Sequence, residues 1–88
     1  MKLKKIIKRN YKSIVKRGLI SSTYKEYGFI EKLNEEVEEL KQAIFDKNKD
    51  NRNEELADVI LVCLNFAKHF NIDIEKELID KIKINFKR

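Results

Sequence analysis

Apolar positions along the chain recur with helical spacing almost throughout, and no stretch alternates with period two for long enough to make a strand. The first segment places Leu3, Ile6, Ile7, Tyr11, Ile14 and Val15 on one face and lysines on the other, with Gly18 as a C-cap and the polar Ser21-Ser22-Thr23 after it. Thr23 and Glu26 have the spacing of a capping box, which predicts a second helix to about Lys47. Its buried stripe is Phe29, Ile30, Leu33, Val37, Leu40, Ile44 and, at the edge, Phe45. Gly28 sits early in that helix, at a cost of ~1 kcal/mol relative to Ala. The polar run Asp46 to Asn53 reads as a loop. Asn51 with Glu54 repeats the capping-box spacing, so a third helix is predicted from near Arg52 to about Phe70, closed by Asn71. This helix is apolar nearly all round from Val59 to Phe66, as a central or interface helix would be. Asp73 is the N-cap of a fourth helix expected to carry Ile74, Leu78, Ile79, Ile82 and Phe86 inward. The expected fold is all-α, a four-helix bundle with short connections and no internal repeat.

Composition narrows the class. With 88 residues the chain is expected to form one domain, and with two glycines and no proline it holds no linker or low-complexity segment. The longest apolar run, Val59 to Leu64, is far short of the ~20 residues that span a bilayer, so no membrane association is expected. The basic N-terminus lacks a long apolar stretch and cleavage site, so no signal peptide is read. A single Cys excludes an internal disulfide framework and fits a reducing cytoplasm. A chain of this length buries only roughly 60–65% of its unfolded surface, which favours completion of the fold by oligomerisation.

The formal net charge of +5 conceals a segregation. Residues 1–17 carry Lys2, Lys4, Lys5, Lys8, Arg9, Lys12, Lys16 and Arg17 with no acid, whereas residues 31–58 hold ten acids against five bases. Residues 68–88 return to six bases and four acids. Basic ends suggest an anionic partner, but the acidic middle needs its own explanation.

The acidic middle contains Glu35-Glu36-Val37-Glu38-Glu39 on the second helix and Glu54-Glu55-Leu56-Ala57-Asp58 at the start of the third. Residues three apart on a helix lie about 60° apart, so Glu36 with Glu39 and Glu55 with Asp58 each share a face. Glu36 flanks Leu33 and Leu40, and Asp58 lies next to Leu61 and Val62, so both pairs border apolar stripes. Four carboxylates from two packed helices repel one another unless a divalent cation intervenes, and oxygen ligands suit Mg²⁺ or Mn²⁺. The simpler reading is a solvated Glu-rich face with i,i+3 or i,i+4 support, as in Glu38 with Lys41 and Gln42.

Other metal chemistries fail on residue counts. A di-iron carboxylate bundle needs Glu-x-x-His on two helices, and the only histidine, His69, has Phe66 three positions before it. One Cys and one His make no zinc site; Cys63 reads as a small core residue and His69 as a solvated residue at a helix C-terminus. Asn65 on the apolar third helix has two open readings, a core hydrogen bond or a ligand contact.

Glu35-Glu36-x-x-Glu39, fifteen residues, then Glu55-x-x-Asp58 resembles the signature of the MazG-type all-α nucleoside triphosphate pyrophosphohydrolases. The flanking Glu31-Lys32-Leu33-Asn34 and Leu56-Ala57-Asp58-Val59 are also similar, as is Asn65-Phe66-Ala67-Lys68-His69-Phe70-Asn71-Ile72-Asp73. Lys81-x-x-x-Asn85-x-x-Arg88 resembles the C-terminal basic element of many members. The resemblance covers residues 23–88 and leaves residues 1–22 as a separate basic helix and turn. It implies a four-helix fold that forms homodimers or homotetramers, and Mg²⁺-dependent (or Mn²⁺-dependent) cleavage of a (d)NTP between its α and β phosphates. It further implies Glu36, Glu39, Glu55 and Asp58 as metal ligands, with Glu35 or Glu39 orienting the attacking water. Lys32, Lys81, Asn85 and Arg88 would hold the triphosphate; the competing reading of Lys81 and Arg88 is a solvated helix end. The alternative function is a non-catalytic binding module that uses the first helix on nucleic acid or another anionic partner.

Overall fold

A computed structural model describes all residues from Met1 to Arg88. It contains four helices and no strand: α1 (Leu3–Lys16), α2 (Glu26–Phe45), α3 (Lys49–His69) and α4 (Ile74–Phe86). The chain is all-α, as expected. None of the helices is long and apolar enough to cross a membrane.

Three of the four helices end in the same way. At the end of α1 the Gly18 N–H donates to the Val15 carbonyl and the Leu19 N–H to the Ile14 carbonyl, each at 3.0 Å, a Schellman closure with Gly18 at φ 71°. The same pair of bonds closes α2 around Lys47 (φ 56°) and α3 around Asn71 (φ 55°). Gly18 and Asn71 are residue types that tolerate this left-handed conformation; Lys47 adopts it against its Cβ. Helix starts follow the sequence less closely. Asp73 caps α4, its carboxylate accepting from the Lys76 N–H at 3.2 Å. For α3 the cap is Asn48, which accepts from the Asn51 N–H at 3.1 Å, so the helix begins a turn earlier than Asn51 would have started it. The Thr23–Glu26 capping box does not form: the Thr23 hydroxyl bonds the Ser21 hydroxyl at 3.1 Å, and α2 starts at Glu26 after an uncapped Lys25. The short hydroxyl side chains are used up within their own turn.

Helix α3 is central, with α1 and α2 both packed against it. Buried Ile14 comes from α1, Phe29 and Ala43 from α2, and Val62, Leu64 and Ala67 from α3. Around the C-terminal end of α3, Phe29 meets Phe66 edge to face at 5.6 Å between ring centres, and Tyr24, His69 and Phe70 complete an aromatic cluster. His69 is therefore not the solvated residue that its place near a helix end suggested. Its Nε2 donates to the Tyr24 carbonyl at 2.8 Å, and its Nδ1 pairs with the Tyr11 hydroxyl at 2.7 Å. One ring thus ties α1, the α1–α2 turn and α3 together.

Other side chains also depart from the sequence reading. Cys63 is exposed rather than in the core, because it faces away from both neighbouring helices, on the same side as the half-exposed Leu56 and Ile60. Ile30, Ile44 and Phe45 of α2 are exposed too. The largest difference is α4, which packs only sparsely on the other helices. Leu78, Ile79, Ile82 and Phe86, expected to point inward, are exposed, with Phe86 at 87%. The chain offers no second helix for α4 to bury them against.

The close packing at Gly28 and the strained closure at Lys47 give substitution effects of opposite sign. A Cβ at Gly28 would collide with the Tyr24 ring, which lies over this turn of α2. Gly28→Ala should therefore lower stability by ~1–3 kcal/mol in urea unfolding, although alanine is the better helix former. Lys47→Gly relieves a left-handed non-glycine residue and should raise stability by ~0.5–1 kcal/mol in the same measurement.

Candidate metal centre

Packing α2 on α3 brings the two acidic segments face to face. One carboxylate oxygen from each of Glu36, Glu39 and Glu55 lies within 4.8 Å of the others. Glu36 is buried at 7% exposure, Glu55 is half-buried and Glu39 is open to solvent. Such a trio is repulsive when fully ionised. Accordingly the Glu39 carboxyl is held above the usual carboxylate range, chiefly by its hydrogen-bonding contact with the Glu55 carboxyl and then by the charge of Glu36.

Glu36 is placed by its position on the edge of the α2 apolar stripe, one turn after Leu33 and one turn before Leu40. Lys32, one turn earlier, reaches its Oε1 at 3.0 Å and also lies 3.6 Å from Glu35. The hydrogen bond to Glu36 raises the Lys32 ammonium above its ordinary value, with smaller contributions from the Glu36, Glu35 and Glu39 charges. Lys32 neutralises only one side of Glu36. Oε2 of Glu36 and Oε2 of Glu55 are both buried without a hydrogen-bond partner. A buried carboxylate oxygen without a partner costs several kcal/mol or so unless a cation or proton satisfies it. Three carboxylates at ligand spacing with two orphaned oxygens fit a hard divalent cation with oxygen ligands.

Asp58 and Glu35 lie outside this close set. Glu35 is exposed and pairs with Lys32. Asp58 instead lines a cleft of about 270 Å³ onto which Glu36 also opens, together with Lys32, Asn10 and Arg17. A second, more apolar cleft of about 210 Å³ adjoins it and is walled by Ile20, Tyr24 and Phe29. Ile14, Leu19, Lys32, Val62 and Asn65 belong to both, so the two form one continuous groove with a charged end and an apolar end.

Asn10 and Leu19 were not among the residues singled out from sequence, and Arg17 stood there only as the last of the basic N-terminal run. Only Asn10 left a signal: it falls among Leu3, Ile6 and Ile14 on the inner arc of α1, where a polar residue needs a partner. That partner is Asn65, whose Oδ1 accepts from the Asn10 Nδ2 at 2.9 Å. The core hydrogen bond is thus the role seen for Asn65, although its side also borders the groove. Lys81 and Asn85 on α4 and Arg88 just beyond its end are exposed and line neither part of the groove.

The model of the MazG-like family matches residues 29–88, starting at Phe29 rather than at Thr23, where the resemblance in the sequence began. No curated protein and no solved structure matches the chain.

The trio predicts an inverted response to charge removal. Without divalent cations, Glu55→Gln removes one of three mutually repelling charges and should raise Tm by a few degrees, since ~1 kcal/mol moves Tm by ~4–8 °C in a domain of this size. Mg²⁺ or Mn²⁺ should raise the Tm of the unmodified protein and have little effect on Glu55→Gln. Because the Glu39 carboxyl is raised in the folded state, the stability that its protonation contributes is present below the ordinary carboxylate range. It is lost as pH rises through the raised value. Scanning calorimetry of cation-free protein between pH 4 and 7 reads this directly.

Proposed function

The chain belongs to the MazG-like family, and from that premise we propose that it is a nucleoside triphosphate pyrophosphohydrolase. Membership points to nucleotide pyrophosphohydrolase-type chemistry. The observation that carries the reading to this chain is the Glu36–Glu39–Glu55 trio with its two unpartnered buried oxygens.

In this reading Glu36, Glu39 and Glu55 hold a Mg²⁺ or Mn²⁺ ion, with Asp58 joining from the cleft side. Bound there, the ion would neutralise phosphate charge and acidify a water. Glu39 on the solvent side of the trio, with Glu35 beside it, orients the attacking water and takes up its proton. Water adds across the α–β phosphoanhydride, so the products are the nucleoside monophosphate and pyrophosphate. Lys32 and Arg17, at the charged end of the groove, meet the phosphates. The apolar end beside Tyr24 and Phe29 receives the nucleoside. The groove supports a (d)NTP substrate without selecting a base.

Lys81, Asn85 and Arg88 enter this scheme through assembly. The exposed Leu78, Ile79, Ile82 and Phe86 stripe on α4 and the Leu56–Ile60–Cys63 side of α3 are covered by further copies of the chain, as a homodimer or homotetramer. The basic residues of α4 then contact triphosphate in a neighbouring copy's groove.

With Mg²⁺, the protein should release pyrophosphate rather than orthophosphate from at least one member of a panel of canonical and modified (d)NTPs. Glu36→Gln should lower kcat at least ~10³-fold with an unchanged helical circular dichroism spectrum. Turnover of none of the panel would refute the enzyme reading. Sedimentation should give a dimer or tetramer, and Leu78→Glu with Ile82→Glu should shift it to monomer. A monomeric unmodified protein at 100 µM, on the order of the highest assay concentration, would refute the assembly.

A further inference from the structure

The cations of α1 play no part in that scheme apart from Arg17, and all lie outside the residues matched by the family. At 3.6 residues per turn, Lys4, Lys5, Lys8, Arg9, Lys12 and Lys16 fall within an arc of about 140°. Every one of them is exposed. The ion pairs of the structure are made by Lys32, Lys41 and Lys76, so each of these α1 cations is without a carboxylate partner at ion-pair distance. Lys4, Lys8, Lys12 and Lys16 form a single i,i+4 row about 18 Å long at 1.5 Å rise per residue. Lys68 of α3 extends the patch, bordering a cleft of about 340 Å³ with Lys4 and Lys8, where Asp73 and Glu75 offset the charge at one end.

We propose that this face of α1 is a sequence-independent docking surface for the phosphate backbone of a nucleic-acid duplex. Three classes of anionic partner compete, and the structure separates them. An anionic membrane would take an amphipathic helix by its apolar side, but Leu3, Ile6, Ile7, Tyr11 and Ile14 are turned toward the α3 side, where α1 packs and Tyr11 meets His69. An acidic protein surface would be met by aromatic and apolar anchors, and lysine is depleted from such interfaces; the exposed arc here is lysine and arginine apart from the half-exposed Val15, which falls within it rather than on the apolar face. A duplex strand presents one phosphate per ~3.4 Å of axis, so a row about 18 Å long runs alongside about five phosphates of one strand. No Asn or Gln stands on the arc to read base edges; Asn10, the one amide of α1, is on the inner side and bonded to Asn65. Binding therefore follows charge and not sequence.

The test uses the full chain and a fluorescein-labelled, random-sequence 20-base-pair DNA duplex, read by anisotropy. Engaging five phosphates gives a slope of log K against log[salt] near −4.5, a loss of ~500-fold between 50 and 200 mM salt. The fourfold substitution Lys4→Gln, Lys8→Gln, Lys12→Gln, Lys16→Gln should remove most of that slope. It should leave the circular dichroism spectrum and any pyrophosphate release unchanged, so this outcome is independent of the enzyme reading. Absence of binding at 50 mM salt and 50 µM protein, concentrations of about the non-specific binding range, overturns the proposal. So does binding that survives the fourfold substitution. Preference for vesicles of phosphatidylcholine with phosphatidylserine over the duplex would overturn it in favour of a lipid surface. Displacement of the duplex by poly-glutamate at equal charge would overturn it in favour of an acidic protein.

Discussion

The candidate site depends on one buried charge. Glu36 sits in the seam between α2 and α3 with a single cationic neighbour, Lys32, on one of its oxygens. Its other oxygen is buried without a hydrogen-bond partner, and Glu39 and Glu55 lie within ligand spacing of the same group. A carboxylate in that position is tolerable only if something positive shares the space, and no base other than Lys32 reaches it at ion-pair distance. The response available to the chain alone is that the Glu39 carboxyl is held above the usual carboxylate range beside Glu55 and Glu36. A divalent cation is the response that satisfies all three groups together. Mutual repulsion among the three carboxylates costs the isolated fold stability, and the same spacing is that of ligands to a hard cation, a common trade between stability and function.

The seam is held in register from a distance. His69 joins Tyr11 on α1 to the Tyr24 carbonyl in the turn before α2, and its ring packs within the cluster of Phe29, Phe66 and Phe70. The Asn10–Asn65 pair adds a second polar link between α1 and α3. Together these contacts fix where α1 crosses, and so they fix the groove in which Asn10 and Arg17 of α1 stand opposite Lys32 of α2 and Asp58 of α3. The site is built by three helices although its carboxylates come from two.

Charge and apolar surface are divided in the same modular way. Acids gather on α2 and the start of α3, unpaired bases on α1, and uncovered apolar side chains on α4 and one side of α3. These surfaces differ in chemistry: one acidic, one basic and one apolar. A small core, with six buried apolar residues, leaves much of the fold's apolar surface available for association.

The sequence by itself determined the features set by residues within one helical turn of each other. Gly18 and Asn71 close their helices, Asp73 opens α4, and the i,i+3 acidic pairs lie on single faces, because caps and helical faces depend on local geometry alone. It also showed the charge segregation and the all-α class. Tertiary structure decided which faces meet. It brought Glu55 to Glu36 and Glu39 while setting Asp58 toward the groove, and it drew a half-buried His69 into the aromatic cluster while turning Cys63 outward. It left Leu78, Ile82 and Phe86 uncovered, although their periodicity matches that of a buried stripe. Periodicity identifies a face that favours burial; only the packing of α1 and α2 on α3 decides whether this chain buries it or leaves it for another.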